Sequence, residues 1–255
     1  MHKHRTFIFL IASLLTAFLV SSAVAQRGIV PVAIKNQEGK QVGLYKGSYA
    51  LVIGVSDYTN GWPDLPGVDE DLNAVGEALE QIGFLVYKRF NPNRKQLEEA
   101  FNGFISRHGY DKDNRLLIYF AGHGHTIAPK YGGTEMGYIV PSNAPNPNVN
   151  EQDFLRVGLS MQNIEVYARN IQSKHALFIF DSCFSGSIFS LSRAIPQIIQ
   201  EKTNRPVRQF ITAGRANQTV PDVSIFRRQF IKALKGDGDY NKDLYVTASE
   251  LGQYL

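Results

Sequence analysis

The sequence predicts an α/β fold: a mostly parallel central sheet flanked by helices. Two observations carry this expectation. Residues 49–55, 116–121 and 176–180 are short, continuous apolar runs that stop at polar or glycine residues, the pattern of strands buried on both faces. Amphipathic helical segments alternate with such runs, and a repeated strand–helix–strand order implies parallel pairing through right-handed crossovers. A chain of 255 residues is long enough for one sizeable α/β domain with a proper core.

The elements follow in order. Residues 1–25 are set aside as a secretory signal peptide. Lys3 and Arg5 precede an apolar stretch over 7–20, and Ala23-Val24-Ala25 supplies small residues for cleavage after Ala25. The protein is therefore expected to be exported, to a periplasm or to the medium. The alternative is an uncleaved membrane anchor, since residues 7–25 nearly suffice to span a bilayer. Removing Lys3 and Arg5 takes the net charge from +4 to +2. With no basic run interleaved with aromatics, a nucleic-acid partner is not expected. Residues 26–48 read as a polar arm able to add an edge strand. Residues 49–55 are the first buried strand, and 56–66, rich in Asp, Asn, Gly and Pro, form a loop. That loop carries the only tryptophan, Trp62, read as a packing residue.

Residues 69–82 place Leu72, Val75, Ala78, Leu79 and Ile82 on one helical face, and Gly83 ends the helix. A strand is expected at 84–90 and a helix from 93 or 94 to 108. The strand at 116–121 runs into Gly122-His123-Gly124. Residues 126–150 read as a hairpin and loop with one strand at 136–140. A helix at 161–171 leads to the strand ending in Asp181-Ser182-Cys183. A strand at 209–213 and a helix at 224–234 complete the domain, taken as residues 49–235, and a helix at 247–255 belongs to a distinct segment at 236–255.

Cys183 is the only cysteine, which excludes an internal disulfide and leaves a free thiol in an exported protein. Ligands of open α/β sheets bind at the carboxyl ends of strands. Two adjacent strands would bring His123 and Cys183 to one such edge, where an imidazole takes a thiol proton and later protonates a leaving amine. The Gly124 N–H is a candidate donor to a developing oxyanion. A buried structural thiol is the competing reading of Cys183. Asp181 lies two residues before Cys183 and shares its strand face. His125 competes with His123 and, with His108 or His175, suggests a metal, but no acid falls at a metal-site spacing.

The pair Tyr119-Phe120-Ala121-Gly122-His123-Gly124 and Asp181-Ser182-Cys183-Phe184-Ser185-Gly186 resembles the catalytic core of the caspase-like cysteine peptidases, closest to the metacaspase and bacterial caspase-like branch. The resemblance runs from about residue 49 to about 212. It implies a caspase-like three-layer sandwich and a cysteine endopeptidase acting on proteins or peptides. Cys183 would be the nucleophile, His123 the acid and base, and the N–H groups of Gly124 and Cys183 the oxyanion donors. Asp181, with Asp71, would line a pocket for a basic P1 side chain. Ala121 departs from the small polar residue often found there. Asp71 read without the resemblance is a first-turn acid favoured by the helix dipole. Arg193, Lys202, Arg205 and Arg208 would be candidate sites of self-processing in the linker before the 209–213 strand, which also reads as an ordinary basic loop.

Residues 239–250 have EF-hand spacing. Asp239, Asn241 and Asp243 fall at positions 1, 3 and 5, the Tyr245 carbonyl at 7 and Glu250 at 12. Leu244 replaces the glycine of the sharp turn. A regulatory Ca²⁺ site and a vestigial structural turn are both open; the dyad itself needs no cofactor. A non-catalytic caspase-like scaffold is the rival function, with an intact dyad against it, and oligomeric state is not legible.

Overall fold

The computed structural model describes residues 32–35, 41–129, 131–133, 135–183, 207–214, 224–242 and 246–255. The signal segment and most of the 193–208 linker lie outside them. The arm does not extend the main sheet. Its strands β1 (Val32–Lys35) and β2 (Gln41–Tyr45) pair with each other, antiparallel.

Among the described residues the central sheet has five parallel strands in the order β10-β9-β5-β3-β4. These are β3 (Gly47–Gly54), β4 (Leu85–Phe90), β5 (Asn114–Ala121), β9 (His175–Cys183) and β10 (Val207–Gly214). The apolar runs supply its middle: Val52, Ile53, Ile118, Phe120, Phe178 and Ile179 are all fully buried. Burial on both faces explains why these strands read as continuous apolar runs rather than as alternation. β4 is an edge, with Leu85 and Phe90 about half exposed.

Helices cover both faces. Beneath one lie α2 (Arg94–Phe104) and α4 (Met161–Asn170), packed through Leu97, Phe101, Phe104 and Ile164 against Ile118, Phe120 and Phe178. Asn93 starts α2 with a capping box: its side chain accepts from the Gln96 N–H while the Gln96 side chain accepts from its own. The helical region then runs on as a π turn over Ile105–Gly109. The other face carries α1 (Gly67–Gln81), α5 (Ile225–Lys232) and α6 (Ala248–Tyr254), packed through Leu72, Val75, Leu79, Phe230 and Leu251 onto Val52, Leu117 and Tyr119. α1 presses closely on β3: a Cβ at Gly54 would stand 2.3 Å from a Leu72 methyl and 2.8 Å from Val68. The three-layer sandwich expected from the sequence is therefore the observed architecture.

The region after β5 forms the expected hairpin. β6 (Gly124–Ile127) and β7 (Met136–Ile139) pair antiparallel, and the short β8 (Leu159–Ser160) adds to β7. A helix not expected from the sequence, α3 (Pro147–Val157), lies between them. It has start signals, an Asn146 cap and Pro147 at its first position. However, it buries only Phe154 and is interrupted by non-helical backbone at Asn150, so it carries no readable apolar stripe.

Candidate functional site

The register of the two central strands assembles the site. β5 and β9 are neighbours, with Ala121 opposite Asp181. Beyond Ala121 the chain turns at Gly122, whose φ of +151° lies where side chains are disfavoured; a Cβ there would also stand 2.9 Å from the Tyr58 hydroxyl. The turn is tied to β9 on both sides. The Gly122 N–H donates to the Asp181 carbonyl at 3.4 Å, and the Ser182 hydroxyl donates to the Gly122 carbonyl at 2.8 Å. His123 and the backbone of Cys183 thus share the carboxyl edge of the sheet. Cys183 closes β9 opposite Gly214 of β10, beside a register shift between Thr212 and Gly214; its side chain lies outside the described residues. Gly124 opens β6, paired with Ile139.

His123 is held from several directions. Its backbone N–H donates to the Tyr58 hydroxyl at 2.8 Å. Its ring lies 5.0 Å from Trp62 and 4.8 Å from Tyr58, centre to centre. Nε2 is 2.8 Å from the Pro63 carbonyl. A carbonyl only accepts, so Nε2 carries the proton, and in the neutral ring Nδ1 is left as the acceptor. Burial pulls the imidazole below the usual histidine value, partly opposed by the Pro63 bond. The loop over residues 56–66 therefore does more than pack: Trp62 walls the ring and Pro63 fixes its tautomer. Sequence reasoning missed this, because a backbone carbonyl leaves no residue-type signature.

His125 packs half-buried against Trp62 and Phe154. His108 and His175 lie at the opposite end of the sheet, beside Asn114 and Arg115. No group of three metal-ligating side chains occurs among the described residues.

The two predicted pocket acids converge. Asp71 of α1 and Asp181 of β9 are each 4% exposed. Asp181 Oδ2 accepts from the Tyr119 hydroxyl at 3.0 Å and the Ser224 hydroxyl at 2.5 Å. Its Oδ1 is buried and has no hydrogen-bond partner among the described residues. Asp71 Oδ1 lies 2.8 Å from Nε of Arg227, in the first turn of α5. The Nε–H makes no aligned hydrogen bond, so this contact is an ion pair held by proximity of charge. Burial pushes Asp71 up to about 6, with the neighbouring charges of Asp181 and Glu70 adding to the rise and Arg227 opposing it. Burial likewise raises Asp181, against the hydroxyls of Ser224 and Tyr119. Tyr119, Ser224 and Arg227 were not identified from the sequence. Tyr119 reads as one more apolar strand residue, and the other two lie far along the chain on a helix that tertiary packing alone brings here.

Arg208 is not in a loop. It sits in β10, and its guanidinium donates to the carbonyls of Ala168 at 3.0 Å and Ile171 at 2.5 Å. That bonding explains why it is anchored rather than presented for cleavage. Arg193, Lys202 and Arg205 lie outside the described residues. Of the EF-hand positions, Asp243 and Tyr245 do too. Glu250 caps α6: its Oε2 accepts from the Thr247 N–H at 2.9 Å and hydroxyl at 2.8 Å, while the Thr247 hydroxyl accepts from the Glu250 N–H. The carboxylate expected at position 12 is thus engaged in a capping box.

A family model described as the caspase domain matches residues 48–246. Among solved structures, the chain is similar to a structural-genomics target from Geobacter sulfurreducens, at 15% identity and a TM-score of 0.52. The match covers 74% of this chain and 82% of that one. At that identity the likeness concerns the fold alone. No curated protein matches the chain.

Proposed function

The chain belongs to the caspase-domain family of cysteine peptidases, and from that premise we propose that it is an exported cysteine endopeptidase with a Cys183–His123 dyad, cleaving after basic residues. The observation that carries this reading is the strand register: β5 and β9 run side by side, and the Gly122 turn is bonded to the last residues of β9. The chemistry follows from the groups present. Nδ1 of His123, left bare by the Pro63 bond, takes the Cys183 proton. The thiolate attacks the peptide carbonyl, and the N–H groups of Gly124 and Cys183 receive the oxyanion. The imidazolium protonates the leaving amine as the C–N bond breaks. Water, deprotonated by His123, then hydrolyses the acyl-enzyme and restores the thiol. Asp181 and Asp71 supply the negative charge that a lysine or arginine side chain of a protein or peptide substrate needs.

Hydrolysis of fluorogenic peptides with Lys, Arg or Asp at P1 tests the reading, with wild type beside Cys183→Ala in calcium and in chelator. Cleavage after Lys or Arg that vanishes in Cys183→Ala is the expected result. Cleavage after Asp overturns the pocket and keeps the dyad. No turnover by folded protein in any lane points instead to a scaffold built on the same fold. Equal rates in calcium and chelator remove residues 239–250 from the account of activity.

A further inference from the structure

We propose that Arg227 is a specificity-determining residue of the acidic pocket: its charge offsets that of Asp71 and leaves Asp181 Oδ1 as the buried carboxylate oxygen without a partner among the described residues, and so selects lysine over arginine at P1. The inference rests on the reading of Asp181 and Asp71 as the P1 pocket.

Asp181 Oδ2 already accepts from two hydroxyls, those of Tyr119 and Ser224. Oδ1 is buried and unpartnered among the described residues. An orphaned carboxylate oxygen in the interior costs the full desolvation of a polar group, so it is a place where an incoming cation is stabilised. Asp71 is only partly on offer, because Arg227 lies against it, the two side chains 13% and 6% exposed. Two carboxylates and one guanidinium leave room for one further positive charge.

A single unpartnered oxygen favours an ammonium. A lysine head is a compact point charge that one oxygen can receive, whereas a guanidinium presents a planar fork of five N–H donors that matches two acceptors. With Arg227 already against Asp71 Oδ1, a P1 arginine would place a second guanidinium beside the first and bring a fork of donors to a site where one buried oxygen is unpartnered among the described residues. Arg227 is not a passing visitor. Ser224 accepts its N–H at 2.9 Å as the cap of α5, and the same hydroxyl donates to Asp181. Phe230, one turn on, is fully buried and stacks on Tyr119. The same elements that orient Asp181 therefore set Arg227 against Asp71.

The test measures binding first. Peptides differing only in P1 (Lys, Arg or Gln) are titrated by fluorescence anisotropy into Cys183→Ala protein, which needs no turnover. The lysine peptide is expected to bind several-fold tighter than the arginine peptide. In Arg227→Gln the arginine peptide is expected to gain roughly tenfold, the worth of one added charge-assisted pair, with the lysine preference lost. In the active enzyme the gain should fall in KM. Asp71→Asn, which frees Arg227 to turn onto Asp181, is expected to weaken both basic peptides, and it serves if Arg227→Gln fails to fold. An unchanged lysine-to-arginine ratio in folded Arg227→Gln, or full lysine binding in Asp71→Asn, overturns the proposal. A wild type that cleaves nothing, while Cys183→Ala keeps the predicted preferences, refutes the peptidase reading and supports this one. Cleavage by the dyad without preference for a basic P1 does the reverse.

Discussion

Replacing Ser224 with alanine removes two interactions at one stroke. Its hydroxyl caps α5 by accepting the Arg227 N–H at 2.9 Å, and donates to Asp181 Oδ2 at 2.5 Å, in a position only 4% exposed. Loss of an N-cap costs about 1 kcal/mol. Loss of a hydrogen bond to a buried charged group costs about 1.5–3 kcal/mol. Because both pass through one hydroxyl, roughly 3 kcal/mol is a fair total. For a domain of this size that is a fall of roughly 6–12 °C in Tm. Ser160→Ala is the control. Ser160 caps α4 in the same way, accepting from the Asn163 N–H at 3.3 Å, but touches no buried carboxylate, so about 1 kcal/mol is expected. The two losses should also differ with pH. The Ser224 hydroxyl favours ionised Asp181 and holds its raised pKa down. The Ser224→Ala penalty is therefore largest where Asp181 is ionised and shrinks as pH falls and the carboxyl is protonated in both proteins. Thermal unfolding of wild type and both variants from pH 5 to 8 reads all of this. Equal, pH-independent losses for the two alanine variants would refute the claim that Ser224 stabilises a buried carboxylate.

Three further outcomes are expected. The acid limb of kcat/KM should lie below the ordinary histidine value of 6.5, because burial lowers His123; Trp62→Ala, by wetting the ring, should move it upward and lower kcat, and a wild-type limb at or above 6.5 contradicts the buried base. Asp71, at about 6 in the folded chain against an ordinary 3.8, gives stability that is complete below 3.8 and lost as pH rises through 6; Tm should fall over that window, and a fall undiminished in Asp71→Asn would assign it to another group. Two glycine substitutions should have opposite signs in urea unfolding: Gly54→Ala drives a Cβ into Leu72 and Val68 and should cost a few kcal/mol, whereas Gly76→Ala in α1 meets only the far end of Lys88 and should gain about 0.5–1 kcal/mol in helix propensity.

Much of the scaffold was legible in the chain itself. Strands buried on both faces cannot alternate, so β3, β5 and β9 declare themselves as runs such as Leu116 to Ala121. Helices with one wet face must repeat their apolar residues at 3–4 spacing, which exposes α1, α2 and α4. α3 was not legible because a helix that buries a single phenylalanine leaves no such repeat. The place of the arm is not legible, because strands as short as β1 and β2 carry no local signal of their partner: whether they join a sheet or each other depends on which edge is within reach.

The same division runs through the candidate site. Residue type and local position sufficed to single out Cys183, His123, Gly124 and Asp181, and the family resemblance added Asp71, since nucleophile, base and acids are chemical properties written one residue at a time. Folding decided how those groups are poised. The Pro63 carbonyl sets the proton on His123, and any residue could have supplied a carbonyl. Ser224 and Arg227 reach Asp181 and Asp71 across 43 and 156 positions of sequence. No local pattern encodes a contact at such separation, because it exists only once α1, α5 and the sheet have packed. A sequence states which groups are available for chemistry; their protonation, pairing and remaining free valences are set by the company that tertiary packing gives them.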